Sequence, residues 1–376
     1  MLNVKPFSLL IFSIAICCLP LTVLAQKGYT ITGKVGQLKV PAKAMLLTVQ
    51  NGAFRNQDSA IIKNGVFQFK GKVEEPKQAI VSIIRDGAKG AEASNDYISF
   101  FLENSKITLK GTDSIRNAQI EGSIADKQNR DLEASIQPYT RLIIRLNDEF
   151  RGKPKDDAWK KASDSVTNAI AQIKLLNARF AESHPNSFMG LYVYHYNVLG
   201  SKFNPAEVEP IFQKFSPALQ SSPLGIRTLE KLTASKKGQA GVKVTDFTQN
   251  DLNGTPFTLS SLRGKYVLVD FWASWCGPCR AESPNLVKAY EQLKNKNFEV
   301  VGVSLDENKG AWEAAVKKDG LPWIQVCDMK GWKNDVAVLY GVNSVPQNFL
   351  IDPNGVIIAR DLRGEGLTEK LSTLIK

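Results

Sequence analysis

Residues 267–279 read Val267-Leu268-Val269-Asp270-Phe271-Trp272-Ala273-Ser274-Trp275-Cys276-Gly277-Pro278-Cys279. The apolar run Val267 to Trp272 has the length and β-branched character of a buried strand. Ala273-Ser274 then leads into a Cys-Gly-Pro-Cys turn that opens a helix, because Pro278 needs no N–H in a first helical turn. Cys276 therefore falls at a helix N-terminus, where unpaired N–H groups and the helix dipole stabilise a thiolate. Cys279 lies one turn later on the same face, within reach of Cys276 for a disulfide. Cys276 is the attacking sulfur on this reading and Cys279 the resolving one. Zinc binding by the same pair would need further ligands, and beyond residue 240 there is no His and only one other Cys, Cys327. No metal site and no cofactor are expected beyond the Cys276–Cys279 redox disulfide.

Around this centre strands and helices alternate. A short hairpin over Asp246 to Leu259 turns at Asn253-Gly254, and the core strand follows from Tyr266. The helix opened by the cysteines runs to about Lys294, with a strand at Phe298–Leu305 and a helix near Ala311–Lys318 beyond it. Strands at Asn348–Ile351 and Val356–Arg360 flank the turn Asp352-Pro353-Asn354-Gly355, and a helix closes the chain from Leu367. The pattern predicts an α/β domain with a mixed sheet over residues 239–376. Cys327, in the apolar piece Trp323-Ile324-Gln325-Val326-Cys327, reads as a buried, inert thiol.

Upstream the periodicity changes. From 124 to about 238, apolar residues recur at intervals of three and four, as in Leu132, Ile136, Tyr139, Ile143, Leu146 and Phe150, which predicts amphipathic helices. Ser235 to Gly241 reads as a linker. His195, amid Tyr192, Tyr194 and Tyr196, reads as a packing residue with a satisfied ring. Residues 26–123 alternate with period two between turn signals and predict a small antiparallel sandwich. Residues 1–25 place Lys5 before an apolar run that ends in Val23-Leu24-Ala25, the pattern of a cleaved signal peptide. The alternatives are an uncleaved membrane anchor and a lipid-modified Cys17 or Cys18.

The composition, 43% apolar and 23% charged, excludes a disordered or fibrous chain. Two His in 376 residues argue against a histidine-based triad or metal centre. The formal charge of +11 lies wholly in residues 1–239, since the remainder carries equal numbers of basic and acidic groups. For an exported chain, that surface points to acidic envelope partners or to simple solubility, and not to nucleic acid.

The run Val267 to Cys279, with Val345-Pro346 downstream, resembles the thioredoxin superfamily, and in detail its exported TlpA/ResA-like thiol-disulfide oxidoreductases. The resemblance spans about residues 242–376. The strand-rich region and its following helices are similar to an uncharacterised amino-terminal domain found ahead of such reductases in Bacteroidetes-like bacteria. Carried onto these positions, the resemblance implies that Val345-Pro346 is a cis peptide opposite Cys276, exposing the Val345 backbone to a substrate strand. It implies that Asp270 is a buried carboxylate exchanging a proton with Cys279. Glu282 matches an acidic position near the site, although a first-turn Glu is also favoured by the helix dipole. Trp275, Gly277 and Pro278 would line the substrate approach with Val345 and Pro346, while Gln347 and Asn348 stand where Thr residues are common.

These readings converge on an exported enzyme that reduces protein disulfides through a mixed disulfide. Gly-Pro between the cysteines points to the reducing end of the redox scale, about −270 mV and not about −120 mV. The resemblance implies a membrane thiol carrier as electron donor and cytochrome c maturation as one client pathway. Two rivals remain: a peroxiredoxin-like thiol peroxidase on the same fold, and an envelope-binding module in residues 27–234 with the redox domain as accessory.

Overall fold

The computed structural model describes residues 28–36, 38, 40–50, 52–87, 96–200 and 203–375. The signal-peptide reading of residues 1–25, with Cys17 and Cys18, lies outside the described residues. The described chain divides into two compact units, one ending at Asp126 and the other beginning at Lys127.

The first unit is a sandwich of two four-stranded sheets. One holds β1 (Tyr29–Lys34), β4 (Val66–Gly71), β7 (Lys106–Lys110) and β8 (Gln119–Glu121) in the order β4-β1-β7-β8. The other holds β2 (Ala42–Gln50), β3 (Ala53–Ile61), β5 (Lys77–Arg85) and β6 (Tyr97–Leu102) in the order β3-β2-β5-β6. Alternation decides which side chains turn inward: Ile31, Phe69 and Ile107 of one sheet share a core with Leu46, Val81 and Phe100 of the other. The purely antiparallel expectation is corrected, because β1 and β7 pair in parallel. Period-two alternation fixes the face of each residue but is blind to strand direction.

The second unit begins in α1 (Ile124–Glu149), whose first residues belong to the first unit, and continues through α2 (Asp157–Ser183) and α3 (Phe188–Val193). A π-turn at Tyr194–Val198 follows, then α4 (Pro205–Phe212), α5 (Pro217–Gln220) and α6 (Pro223–Lys237). Asp156, Ser187, Asn204 and Ser222 cap four of these helices with side-chain oxygens, as expected of short polar residues before apolar runs. His195 Nδ1 meets Thr228 Oγ1 at 2.8 Å beside the buried Tyr194, the packing role read from the sequence. The expected linker at Ser235 is corrected: α6 continues to Lys237 with Ser235 buried. The chain then runs straight onto the next sheet, where Gly241 donates to the Ile357 carbonyl at 2.7 Å.

That sheet has five strands in the order β13-β12-β11-β14-β15. The hairpin β9 (Thr248–Asn250) and β10 (Pro256–Thr258) precedes it. The central β11 (Tyr266–Trp272) pairs in parallel with β12 (Phe298–Ser304), which in turn pairs in parallel with β13 (Ile324–Val326). On its other side β11 meets β14 (Gln347–Ile351) in antiparallel register, and β15 (Ile357–Arg360) closes the edge. Helices α7 (Gly277–Leu293), α8 (Lys309–Asp319), α9 (Asp335–Leu339) and α10 (Leu367–Leu374) complete the domain. Val267, Leu268, Val269, Phe271 and Trp272 are all buried, so β11 is covered on both faces, as a central strand of an α/β sheet should be. This is the thioredoxin fold, and β11 carries the chain straight into the cysteine pair at the start of α7.

Candidate active site

Cys276 is the N-cap of α7, and its Sγ accepts the Cys279 backbone N–H at 3.2 Å. The two cysteines form a disulfide, with Cα atoms 5.3 Å apart. Pro278 occupies the first turn, where its missing N–H leaves no bond unmade. Both sulfur-bearing residues are 5% exposed, whereas Trp275 beside them is 54% exposed. A Cβ placed on Gly277 would meet nothing within 4 Å, so the turn between the cysteines faces open space.

The loop ahead of Cys276 is held by buried charge. Asp306, 1% exposed, accepts the Ser274 N–H at 2.9 Å and also the hydroxyls of Ser274 and Ser304. Arg280 donates to the Ser274 carbonyl at 3.1 Å while its remaining donors engage Asp319. The reacting sulfur is thus presented from a fixed backbone.

Behind the disulfide lies a narrow cavity of about 20 Å³, room for one water-sized sphere, walled by Asp270, Cys279, Glu282, Pro346, Asn348 and Arg363 among others. A larger cavity of about 120 Å³, near Val267 and Ile351, touches none of these groups. Asp270 is half-buried, and its carboxyl is pushed up to about 7. Desolvation is the main cause and the Glu282 charge adds to it, while a hydrogen bond from Asn348 and the Arg363 charge oppose it. Glu282 accepts the Gly364 N–H at 2.8 Å and an Asn285 side-chain N–H at 3.1 Å. The Val345–Pro346 peptide is cis, and Arg363 donates to the Pro346 carbonyl at 3.2 Å.

Of the residues singled out in the sequence, Cys279, Asp270, Glu282 and Pro346 share this cavity, while Trp275, Gly277 and Pro278 lie on the exposed side with Cys276 at the edge. Val345 adjoins Pro346 and is packed against the core. Cys327 is a buried free thiol whose Sγ donates to the Ser304 carbonyl at 3.2 Å, and burial pushes its pKa up. Arg363 and Asp306 join the site with no local sequence signal, and Asn348, which stands where Thr is common, supplies the hydrogen bond to Asp270. Trp272 is core, its Nε1 donating to Gln325 Oε1 at 3.0 Å. Among the described residues no cluster of His, Cys, Asp and Glu could hold a metal ion, and no helix is long and apolar enough to cross a membrane.

Residues 240–360 match the AhpC/TSA family, and residues 29–129 match a domain of unknown function, DUF4369. Thiol-disulfide oxidoreductase ResA of Bacillus thuringiensis subsp. konkukian (strain 97-27) is 32% identical over 144 residues, 38% of this chain and 81% of that protein. The ResA of Bacillus thuringiensis (strain Al Hakam) is 32% identical over 167 residues, 44% of this chain and 94% of that protein. Among solved structures, the thioredoxin domain of a thiol-disulfide oxidoreductase from Bacteroides vulgatus is 37% identical and covers 37% of this chain and 99% of its own, with a TM-score of 0.35. The ResA relatives, 32% identical and matched over 81% and 94% of their own length, identify the chain as a member of the ResA-like thiol-disulfide oxidoreductases.

Proposed function

We propose that the chain is an exported protein-disulfide reductase working through the Cys276–Cys279 dithiol. The observation that carries this reading is the placing of Cys276 as the cap of α7, its sulfur accepting a backbone N–H, with Cys279 behind it beside a carboxyl whose pKa lies near neutrality.

In the reduced protein the Cys276 thiolate attacks one sulfur of a substrate disulfide. A Cys276–substrate disulfide forms, and the first substrate thiolate leaves and takes a proton from solvent. Asp270, poised near neutral pH, accepts the proton of the Cys279 thiol. The Cys279 thiolate attacks Cys276 Sγ, the mixed disulfide breaks, and the second substrate thiolate departs. Two electrons have passed to the substrate, and the enzyme holds the intramolecular disulfide. Glu282 raises the Asp270 pKa and so helps to keep it protonatable. Trp275, Gly277, Pro278, Val345 and Pro346 form the face that the substrate approaches.

A further dithiol must return the electrons, and a membrane thiol carrier fits an enzyme exported by the segment 1–25. The domain limits 26–123, 124–238 and 239–376 belong to the same proposal, with the basic surface of residues 1–239 as a contact for acidic envelope components.

Insulin reduction with dithiothreitol tests the activity. Turnover in the wild type, and a Cys279→Ser variant that accumulates a substrate adduct on Cys276, are the expected results. Peroxide consumption without insulin turnover would replace the proposal with the thiol-peroxidase reading.

A further inference from the structure

We propose that Trp332 joins Trp275 in an aromatic platform beside Cys276 that selects substrates carrying an aromatic or large apolar side chain next to the cysteine under attack. The inference rests on Cys276 as the attacking sulfur and adds the recognition of the chain that carries the target disulfide.

Trp275 and Trp332 are 54% and 48% exposed, and their ring centroids lie 5.9 Å apart with a 52° angle between planes. Two indoles left half in water and touching each other form an apolar surface that a core would ordinarily cover. Their position says what covers it. Trp275 is bonded to Cys276, so a chain whose disulfide reaches that sulfur brings its neighbouring residues close to this pair.

Both rings are mounted on buried supports. Trp275 follows Ser274, which Asp306 grips through backbone and side chain. Trp332 sits in the short 3-10 turn Gly331–Lys333, and the next residue, Asn334, is fully buried. Asn334 Nδ2 donates to Gln249 Oε1 at 3.2 Å, to the Ser304 carbonyl at 3.2 Å and to Asp328 Oδ1 at 3.0 Å. Its Oδ1 accepts the N–H groups of Val336 and Ala337. Ser304 is common to both supports, giving its hydroxyl to Asp306 and its carbonyl to Asn334. The platform is therefore pre-organised, and a side chain stacking on it does not have to immobilise the indoles first. A third aromatic or a long aliphatic group would find ring faces and edges at ordinary stacking distances, whereas glycine or a carboxylate would gain nothing there.

The test uses the full chain, reduced and freed of reductant, against symmetrical disulfides of the acetylated, amidated peptides Trp-Cys-Gly, Gly-Cys-Trp, Gly-Cys-Gly and Asp-Cys-Gly. Second-order rate constants are read from peptide thiol release. In the wild type the better of the two tryptophan peptides is expected to react about tenfold faster than Gly-Cys-Gly, a ratio within the range of a single aromatic contact. In Trp332→Ala that ratio is expected to fall to about two, and Trp332→Phe should restore most of it. A general structural defect lowers all the rates together and leaves the ratio high, which would overturn the proposal. So would a wild type that does not discriminate. Bis(2-hydroxyethyl) disulfide, which carries no side chain for the platform, checks the underlying reading. If reduced wild type reacts with it no faster than free cysteine does, Cys276 is not the activated sulfur and the platform falls with it.

Discussion

Replacing Asp270 with Asn removes a titrating group and keeps the shape of the side chain, so its effect can be worked out with sign and size. The folded protein holds the Asp270 carboxyl near 7 against an ordinary value of 3.8. Each pKa unit corresponds to about 1.4 kcal/mol, so the ionised form costs the fold about 4 kcal/mol at most. The folded pKa is raised, so below pH 4 both states are protonated and the group contributes almost nothing. Between pH 4 and 7 the unfolded chain ionises while the folded one resists, and stability falls. Above about 7 both states are ionised and the penalty is constant. Asp270→Asn escapes this. The variant is expected to be more stable than the wild type by about 1 kcal/mol at pH 4.5 and by about 4 kcal/mol at pH 8. Titrating groups that do not act on Asp270 cancel in the difference. Guanidinium unfolding of the oxidised full chain, followed by tryptophan fluorescence, reads the relevant domain, because five of the six Trp lie between 272 and 332. The same variant should resolve its mixed disulfide slowly, since Cys279 has lost its proton acceptor. A stability difference that is flat across pH, or a variant less stable at pH 8, would refute the reasoning.

Glu282→Gln should lower the Asp270 pKa and Arg363→Gln should raise it, because the two charges act on that carboxyl with opposite signs; the pH–rate profiles of insulin reduction should shift in opposite directions. Asp306→Ala leaves the Ser274 N–H and two hydroxyls without their buried acceptor, and is expected to cost about 3 kcal/mol or more by denaturant titration. Cys327 should take up no iodoacetamide in the native oxidised protein and react once it is denatured, as intact-mass measurement would show; rapid native labelling would contradict its burial.

What the sequence made legible is what short-range chemistry dictates. An apolar run, two small residues and a Pro in a first turn sufficed to place Cys276 at a helix start, whereas Val345-Pro346 was marked as the partner loop only by the resemblance to the thioredoxin superfamily. The action of Asn348 and Arg363 on Asp270 is not legible in the sequence, for a physical reason. Each acts on Asp270 only after an antiparallel pairing sets β14 against β11, where Asn348 falls opposite Asp270, and neither has a local pattern to announce it. Asp306 and Asn334 are polar residues in loops, the commonest setting for an uneventful surface position. Only the crossing of β12, the Ser274 loop and the Trp332 turn at Ser304 shows that they are buried anchors. The parallel β1–β7 pair and the extension of α6 past Ser235 likewise depend on what the chain packs against, which periodicity alone does not contain.

The openness at Gly277 has an evolutionary corollary. A methyl group there would touch nothing of the protein's own, and the residue's backbone needs no left-handed geometry. Folding therefore exerts no veto on this position. A lineage, or a designer, can rewrite that one letter and retune electron affinity while the scaffold stays indifferent.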